Sequence, residues 1–209
     1  MTANANVRGF VLAGGASRRF GSDKALIEFD GEPLIARLCR VLQIATGAPV
    51  RVIGDAKKYE GIGVECVADR WPGEGPLGGI ITALDTNAAL NQSDSWSLII
   101  GCDMPFLTVE WLEYLSSRAS VSKAKVVVPE SNYGLEPLCA CWRASAVPTL
   151  MSTFESGVRR VTEAMKQLPM EVLDAADWKR FDNFDRLFWN MNTPADYNEA
   201  IRMLKAERP

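Results

Sequence analysis

Val7-Arg-Gly-Phe-Val-Leu-Ala-Gly-Gly-Ala-Ser-Arg-Arg-Phe-Gly-Ser-Asp-Lys24 is the stretch on which the fold turns. Val7 to Leu12 is a short apolar run without polar alternation, which is how a strand buried on both faces reads. It leads into a glycine-rich turn from Leu12 to Lys24. Gly14 and Gly15 let the backbone approach a ligand closely and present N–H groups to it. Arg18, Arg19 and Lys24 add positive charge in the same loop. A triphosphate calls for both kinds of group, backbone donors along its path and cations to neutralise it. The alternative, a tight turn followed by a solvated basic stretch, leaves the clustering of these five residues unaccounted for. The loop matches neither G-x-x-x-x-G-K-[ST] nor G-x-G-x-x-G, so neither a P-loop ATPase nor a dehydrogenase follows from it.

Outward from this loop, strands and helices alternate. Helical spacing of Leu34, Ile35, Leu38, Val41 and Leu42 predicts a helix over Pro33 to Gln43. Val50 to Ile53 and Val64 to Ala68 read as strands, and Gly79 to Ala89 as a helix opened by Gly-Pro-Leu-Gly-Gly. Ser97 to Gly101 is a strand, Val109 to Arg118 a helix, and Lys125 to Pro129 and Pro137 to Trp142 are further strands. Helices are expected over Ala144 to Phe154 and Val158 to Leu168. Trp189 to Asn192 closes the pattern, and a terminal helix runs from Pro194 to Lys205 behind a Thr-Pro start. Such alternation predicts an α/β fold with three layers, a mostly parallel sheet covered by helices on both faces. With 209 residues and no linker, repeat or low-complexity tract, the chain reads as a single domain over residues 1–209.

Composition narrows the chemistry. A formal charge of -3 without a long basic run argues against nucleic acid as a partner. No apolar stretch is long enough to span a bilayer and the start lacks a signal-peptide pattern, so no membrane partner is expected and the location reads as cytoplasmic. The five cysteines contain no C-x-x-C pair and read as buried thiols, with Cys139 and Cys141 on one face of a strand. The chain has no histidine. That removes Ser-His-Asp and Cys-His nucleophiles and leaves carboxylates, Lys, Arg, backbone amides or a bound metal to do the chemistry.

In an open α/β sheet, ligands sit beyond the carboxyl ends of the strands. Asp103, in Leu98-Ile-Ile-Gly-Cys-Asp-Met-Pro105, is delivered there by an apolar strand and suits magnesium, which takes few carboxylates plus phosphate and water. The other role open to it, capping the helix near Thr108, would need too long a span. As charge builds on a leaving pyrophosphate, Lys24 and an arginine of the first loop, Arg19, are placed to stabilise it. Asp69 follows another strand, and the glycines up to Gly78 and Gly79 could bring backbone close to a base or ribose; a surface turn reads equally well. Arg159 and Arg160 either hold an acceptor phosphate or are solvated charges. Asn190 and Asn192 stand before the last helix, where Asn192 has the default reading of a helix cap.

Taken together, the run LAGGASRRFGSDK with GPLGG, GCDMP, EPL, GVRR and NMNTP resembles the MobA family, the molybdenum cofactor guanylyltransferases, over nearly the whole chain. The resemblance implies a Rossmann-like nucleotidyltransferase fold, Mg2+ as cofactor, and transfer of GMP from GTP to molybdopterin with release of pyrophosphate. It implies that Leu12, Ala13, Gly14 and Gly15 contact guanine and phosphates, Lys24 the triphosphate, Asp69 the nucleoside and Asp103 the magnesium. Arg159, Asn190 and Asn192 would face molybdopterin, and proteins that deliver the cofactor or mature molybdoenzymes would be transient partners. LAGG, where the cytidylyl branch usually has LAAG, favours GTP. Glu136 stands where the family often has histidine, the family's Asn after the strand of Val50 to Ile53 has no clear match in Ile-Gly-Asp, and where sugar-phosphate relatives place a second metal-binding acid near the last motif this chain has only Asn190 and Asn192. Rival readings are a cytidylyltransferase on the same acceptor, a nucleotidyltransferase for another small phosphate, and a non-catalytic binding module.

Overall fold

All of β1 (Val7–Ala13) but Arg8 is buried, because this strand lies inside a sheet that is covered on both faces. The structure, a computed structural model, describes residues 7–14, 23–90, 94–182 and 186–206. After β1 come a small hairpin, β2 (Glu28–Phe29) and β3 (Glu32–Pro33), then α1 (Leu34–Thr46), β4 (Arg51–Gly54) and β5 (Glu65–Val67). The middle of the chain forms α2 (Pro76–Leu90), β6 (Trp96–Gly101), α3 (Val109–Val121), β7 (Val126–Ser131), β8 (Gly134–Leu135) and β9 (Cys139–Arg143). It ends with α4 (Val147–Glu155), α5 (Val161–Met165), β10 (Met170–Leu173), α6 (Ala175–Trp178) and α7 (Pro194–Ala206).

The strand order is β10-β7-β9-β6-β1-β4-β5, with β8 paired to β7. β5, β4, β1 and β6 are mutually parallel, and β10 is parallel to β7. β9 runs antiparallel between β6 and β7. The expected three-layer, mostly parallel α/β architecture is therefore present, with one reversed strand inside it.

Strand alternation divides the core. Phe10, Leu12 and Ile99 join Leu77, Ile80 and Leu84 of α2 with Leu150 and Phe154 of α4. Val11, Leu98 and Ile100 pack on the other face with Ile35, Leu38 and Leu42 of α1, and with Trp111 and Leu115 of α3. The α1 stripe ends at Gly47, whose φ of 64° is the left-handed turn that glycine favours, with its N–H bonded to Gln43 O. Cys139 and Cys141 share the α3 face, as their spacing predicts. Trp111 Nε1 donates to Cys139 Sγ at 3.3 Å, and burial pushes the Cys139 thiol up to about 12. No helix among the described residues is long and apolar enough to cross a membrane.

Three expectations need correction, and one strand has no counterpart among them. α2 begins at Pro76, before Gly79, since proline suits the first helical position; Gly78 and Gly79 belong to its first turn. The helix expected over Val158 to Leu168 shrinks to α5, because Gly157 has φ 96° and Arg160 is extended, so the chain is not helical before Val161. Met170–Leu173 forms an edge strand that its irregular pattern of burial hides from periodicity. Trp189 to Asn192 is no strand; Met191 is buried in the core and its N donates to Asp103 O at 2.9 Å.

Candidate active site

The carboxyl ends of β1 and β6 are tied together beyond their regular ladder, since Cys102 N donates to Leu12 O at 3.2 Å. On the other side, Gly101 N donates to Leu138 O at 2.7 Å, holding the lead into β9 against the end of β6. Asp103 follows directly. Thr108, not Asp103, caps α3, its hydroxyl accepting from Trp111 N at 3.2 Å.

Lys24 arrives from a separate segment. Asp23 Oδ1 accepts from Ala25 N at 3.1 Å, capping the single 3-10 turn, Lys24–Leu26, that starts with this lysine. Lys24 Nζ lies 3.6 Å from Asp103 Oδ2 and donates to Asn192 Oδ1 at 3.1 Å. The two charged side chains are only 16% and 22% exposed, so their attraction is less screened than that of a surface pair. Residues remote in sequence thus converge on one point at the carboxyl edge.

Asp103 Oδ1 is buried and has no hydrogen-bond partner among the described residues. A buried carboxylate oxygen left this way carries a desolvation cost that a cation would relieve. It crowds Gly101, where an added Cβ would stand 2.7 Å from it. The donor set fits a divalent ion held by one carboxylate, with substrate phosphate and water completing the shell. Among the described residues no group of three or more His, Cys, Asp or Glu offers an all-protein cage. Desolvation first, and then the Asp103 charge, push the neighbouring Cys102 thiol up to about 12, so it is no nucleophile at neutral pH.

Asn192 is free for Lys24 because it is not the helix cap. Thr193 takes that role for α7, its hydroxyl accepting from Asp196 N at 3.2 Å, while Asp196 Oδ2 accepts from Thr193 N at 2.7 Å and Asn192 N at 2.8 Å. Burial pushes the Asp196 carboxyl up, but these donors outweigh it and hold the group below its usual range. The default assignment of the cap to Asn192 misses by one residue. Asn190 turns back locally, with Nδ2 donating to Phe188 O at 3.1 Å.

The remaining candidates lie around this centre. Leu12 and Ala13 end β1, and at Gly14, which follows, no atom of the described residues lies within 4 Å of where a Cβ would stand. Gly15, Arg18 and Arg19 fall outside the described residues. Asp69 Oδ1 accepts from Trp71 N at 3.0 Å and from the Thr82 hydroxyl at 3.2 Å, joining the end of β5 to α2. Gly78 lies under Trp71, whose Cβ would be 3.1 Å from an added methyl. Arg159 is bound to Glu74 Oε2 at 2.8 Å and to Phe154 O at 2.7 Å. Its partners belong to the loop after Asp69 and to α4, not to Asn190 or Asn192. Glu136 is buried at the start of the Leu138 segment.

Two contributors escape a reading of the sequence. Asp23 has only the weak signal of a carboxylate one position before a short turn. Tyr59 has none, since its hydroxyl reaches residues 36 and 46 positions away.

A family model described as a MobA-like NTP transferase domain matches residues 9–169. The chain is 32% identical over 200 residues to a protein of Chloroflexus aggregans, covering 94% of each, that bears the name "Probable molybdenum cofactor guanylyltransferase". It is 30% identical over 207 residues to the "Molybdenum cofactor guanylyltransferase" of Rhodobacter capsulatus, covering 97% of this chain and 99% of the relative. Its fold is similar to the crystal structure of molybdopterin-guanine dinucleotide biosynthesis protein A from Archaeoglobus fulgidus. The TM-score is 0.80 at 25% identity, over 95% of this chain and 99% of that one.

Proposed function

Because the chain belongs to the MobA-like NTP transferase family, we propose that it transfers GMP from GTP to the terminal phosphate of molybdopterin, releasing pyrophosphate. The observation that carries this is the meeting of Lys24, Asp103 and Asn192 at the carboxyl edge of the sheet. It places a cation beside a carboxylate where a triphosphate enters a fold of this kind.

An oxygen of the acceptor phosphate attacks the α-phosphorus of GTP in line with the departing pyrophosphate. That phosphate is ionised at neutral pH and needs no general base, in keeping with a chain that has no histidine. Catalysis then rests on positioning and on charge neutralisation. Leu12, Ala13, Gly14 and Gly15 border guanine and phosphates, and Asp69 and Gly78 the nucleoside. Lys24 and Arg19 neutralise the leaving group, with Asp103 and Asn192 fixing where the Lys24 ammonium stands. Asp103 holds Mg2+, which when bound supplies positive charge to the phosphate oxygens. Arg159, Asn190 and Asn192 border the acceptor. GTP is favoured over CTP by the glycine at position 14. The chain works as one domain in the cytoplasm, with transient contacts to proteins that deliver or receive the cofactor.

The test is pyrophosphate release from GTP, CTP, ATP and UTP with magnesium and molybdopterin. Release with GTP alone, dependent on the acceptor, is expected. Release with CTP alone would replace the guanylyl reading, and none with any of the four would end the molybdopterin reading. Asp103→Ala should lower the rate at least about 100-fold with an unchanged circular dichroism spectrum.

A further inference from the structure

Tyr59 follows a short turn after β4 and is 3% exposed. Its hydroxyl stands 3.4 Å from Ala13 O and 3.3 Å from Asp23 Oδ2. The first acceptor is the last residue of β1 and the second belongs to the residue that caps the Lys24 turn. Asp23 divides its carboxylate between these tasks, with Oδ1 on Ala25 N and Oδ2 facing the phenol and, at 3.6 Å, Lys58 Nζ. The arrangement depends on Gly54 at the end of β4. An added Cβ there would lie 2.2 Å from Ala13 O and 3.3 Å from Tyr59 Cε2.

We infer that Tyr59 is a positioning residue for Lys24, its buried hydroxyl sharing its one proton between Ala13 O at the end of β1 and Asp23 Oδ2, and so setting the lysine against Asp103 and Asn192. Through Cys102 N on Leu12 O, the end of β1 is also joined to the segment that carries Asp103. The phenol therefore references both charged groups to one strand end. Burial, reinforced by the Asp23 charge, pushes the phenol far above its usual range, so it remains a donor wherever the protein is folded. Tyr59 touches no substrate in this scheme, and the inference rests on the proposed role of Lys24 at the triphosphate.

A double-mutant cycle on nucleotide affinity tests it, with fluorescent analogues of GTP, CTP, ATP and UTP titrated in the presence of magnesium. Tyr59→Phe keeps the ring packing and removes the bridge. For the nucleotide that the parent binds best, this variant should bind about tenfold more weakly. In a Lys24→Ala background the same change should cost less than about twofold, since the ammonium through which it acts is gone. Unaltered affinity when Lys24 is present, or an equal loss in both backgrounds, would overturn the inference. Preference of the parent for another base would count against the guanylyl reading alone, leaving the cycle readable with that nucleotide.

Discussion

Glu136 is a carboxyl taken out of water within electrostatic reach of Asp103, with Ser131 Oγ donating to its Oε1 at 2.6 Å. Burial raises its proton affinity most, the Asp103 charge adds to that, and the Ser131 bond works in the other direction without cancelling it. A carboxyl that binds protons more tightly when folded contributes stability that is complete below its unfolded pKa, about 4.3, and is lost as pH rises through the folded value. Glu136→Gln keeps an acceptor for Ser131 and removes the charge. Its melting temperature should exceed that of the parent at pH 8, and the gain should vanish on acidification to about pH 4; calorimetry across that range checks it. Glycines, charges and the Asp103 strand end are legible one residue at a time, because each has a local reason. The pairing of Lys24 with Asn192 spans 168 positions, so no local rule finds it.

At the scale of elements, α7 is anchored by the reciprocal bonds of Thr193 and Asp196. Thr193→Ala should cost about 1 kcal/mol, read as a lower urea midpoint with an unchanged slope. The same cap leaves Asn192 outside the helix with its side-chain oxygen on Lys24, so an element's start decides what the site contains. Long elements with one buried stripe, such as α1 and α3, are recognisable from spacing alone. β10 is not, since only Leu173 of its four residues is buried. α5 is not either, because the extended backbone at Arg160 delays a helix whose apolar pattern begins earlier.

For the molecule as a whole, ligand binding should be visible as stability. GTP with magnesium at about 100 times its dissociation constant adds about 2.7 kcal/mol to a protein that binds it only when folded. For a chain of this length that is a rise of about 5–10 °C in melting temperature, and CTP at the same concentration should give a smaller one in scanning fluorimetry. The layer architecture follows from local pattern alone, since apolar runs alternating with amphipathic helices have few other ways to bury their surfaces. The same holds for the absence of histidine chemistry and for the glycines and basic residues clustered in the sequence between 14 and 24. Long-range packing sets the reversal of β9 inside the sheet, the displacement of Asn192 by Thr193 as the cap, and the place of Tyr59 and Asp23 behind Lys24. The reason is one of range. Propensity and periodicity act within a few turns of chain, whereas these contacts depend on strand order and on which segment ends meet at the carboxyl edge.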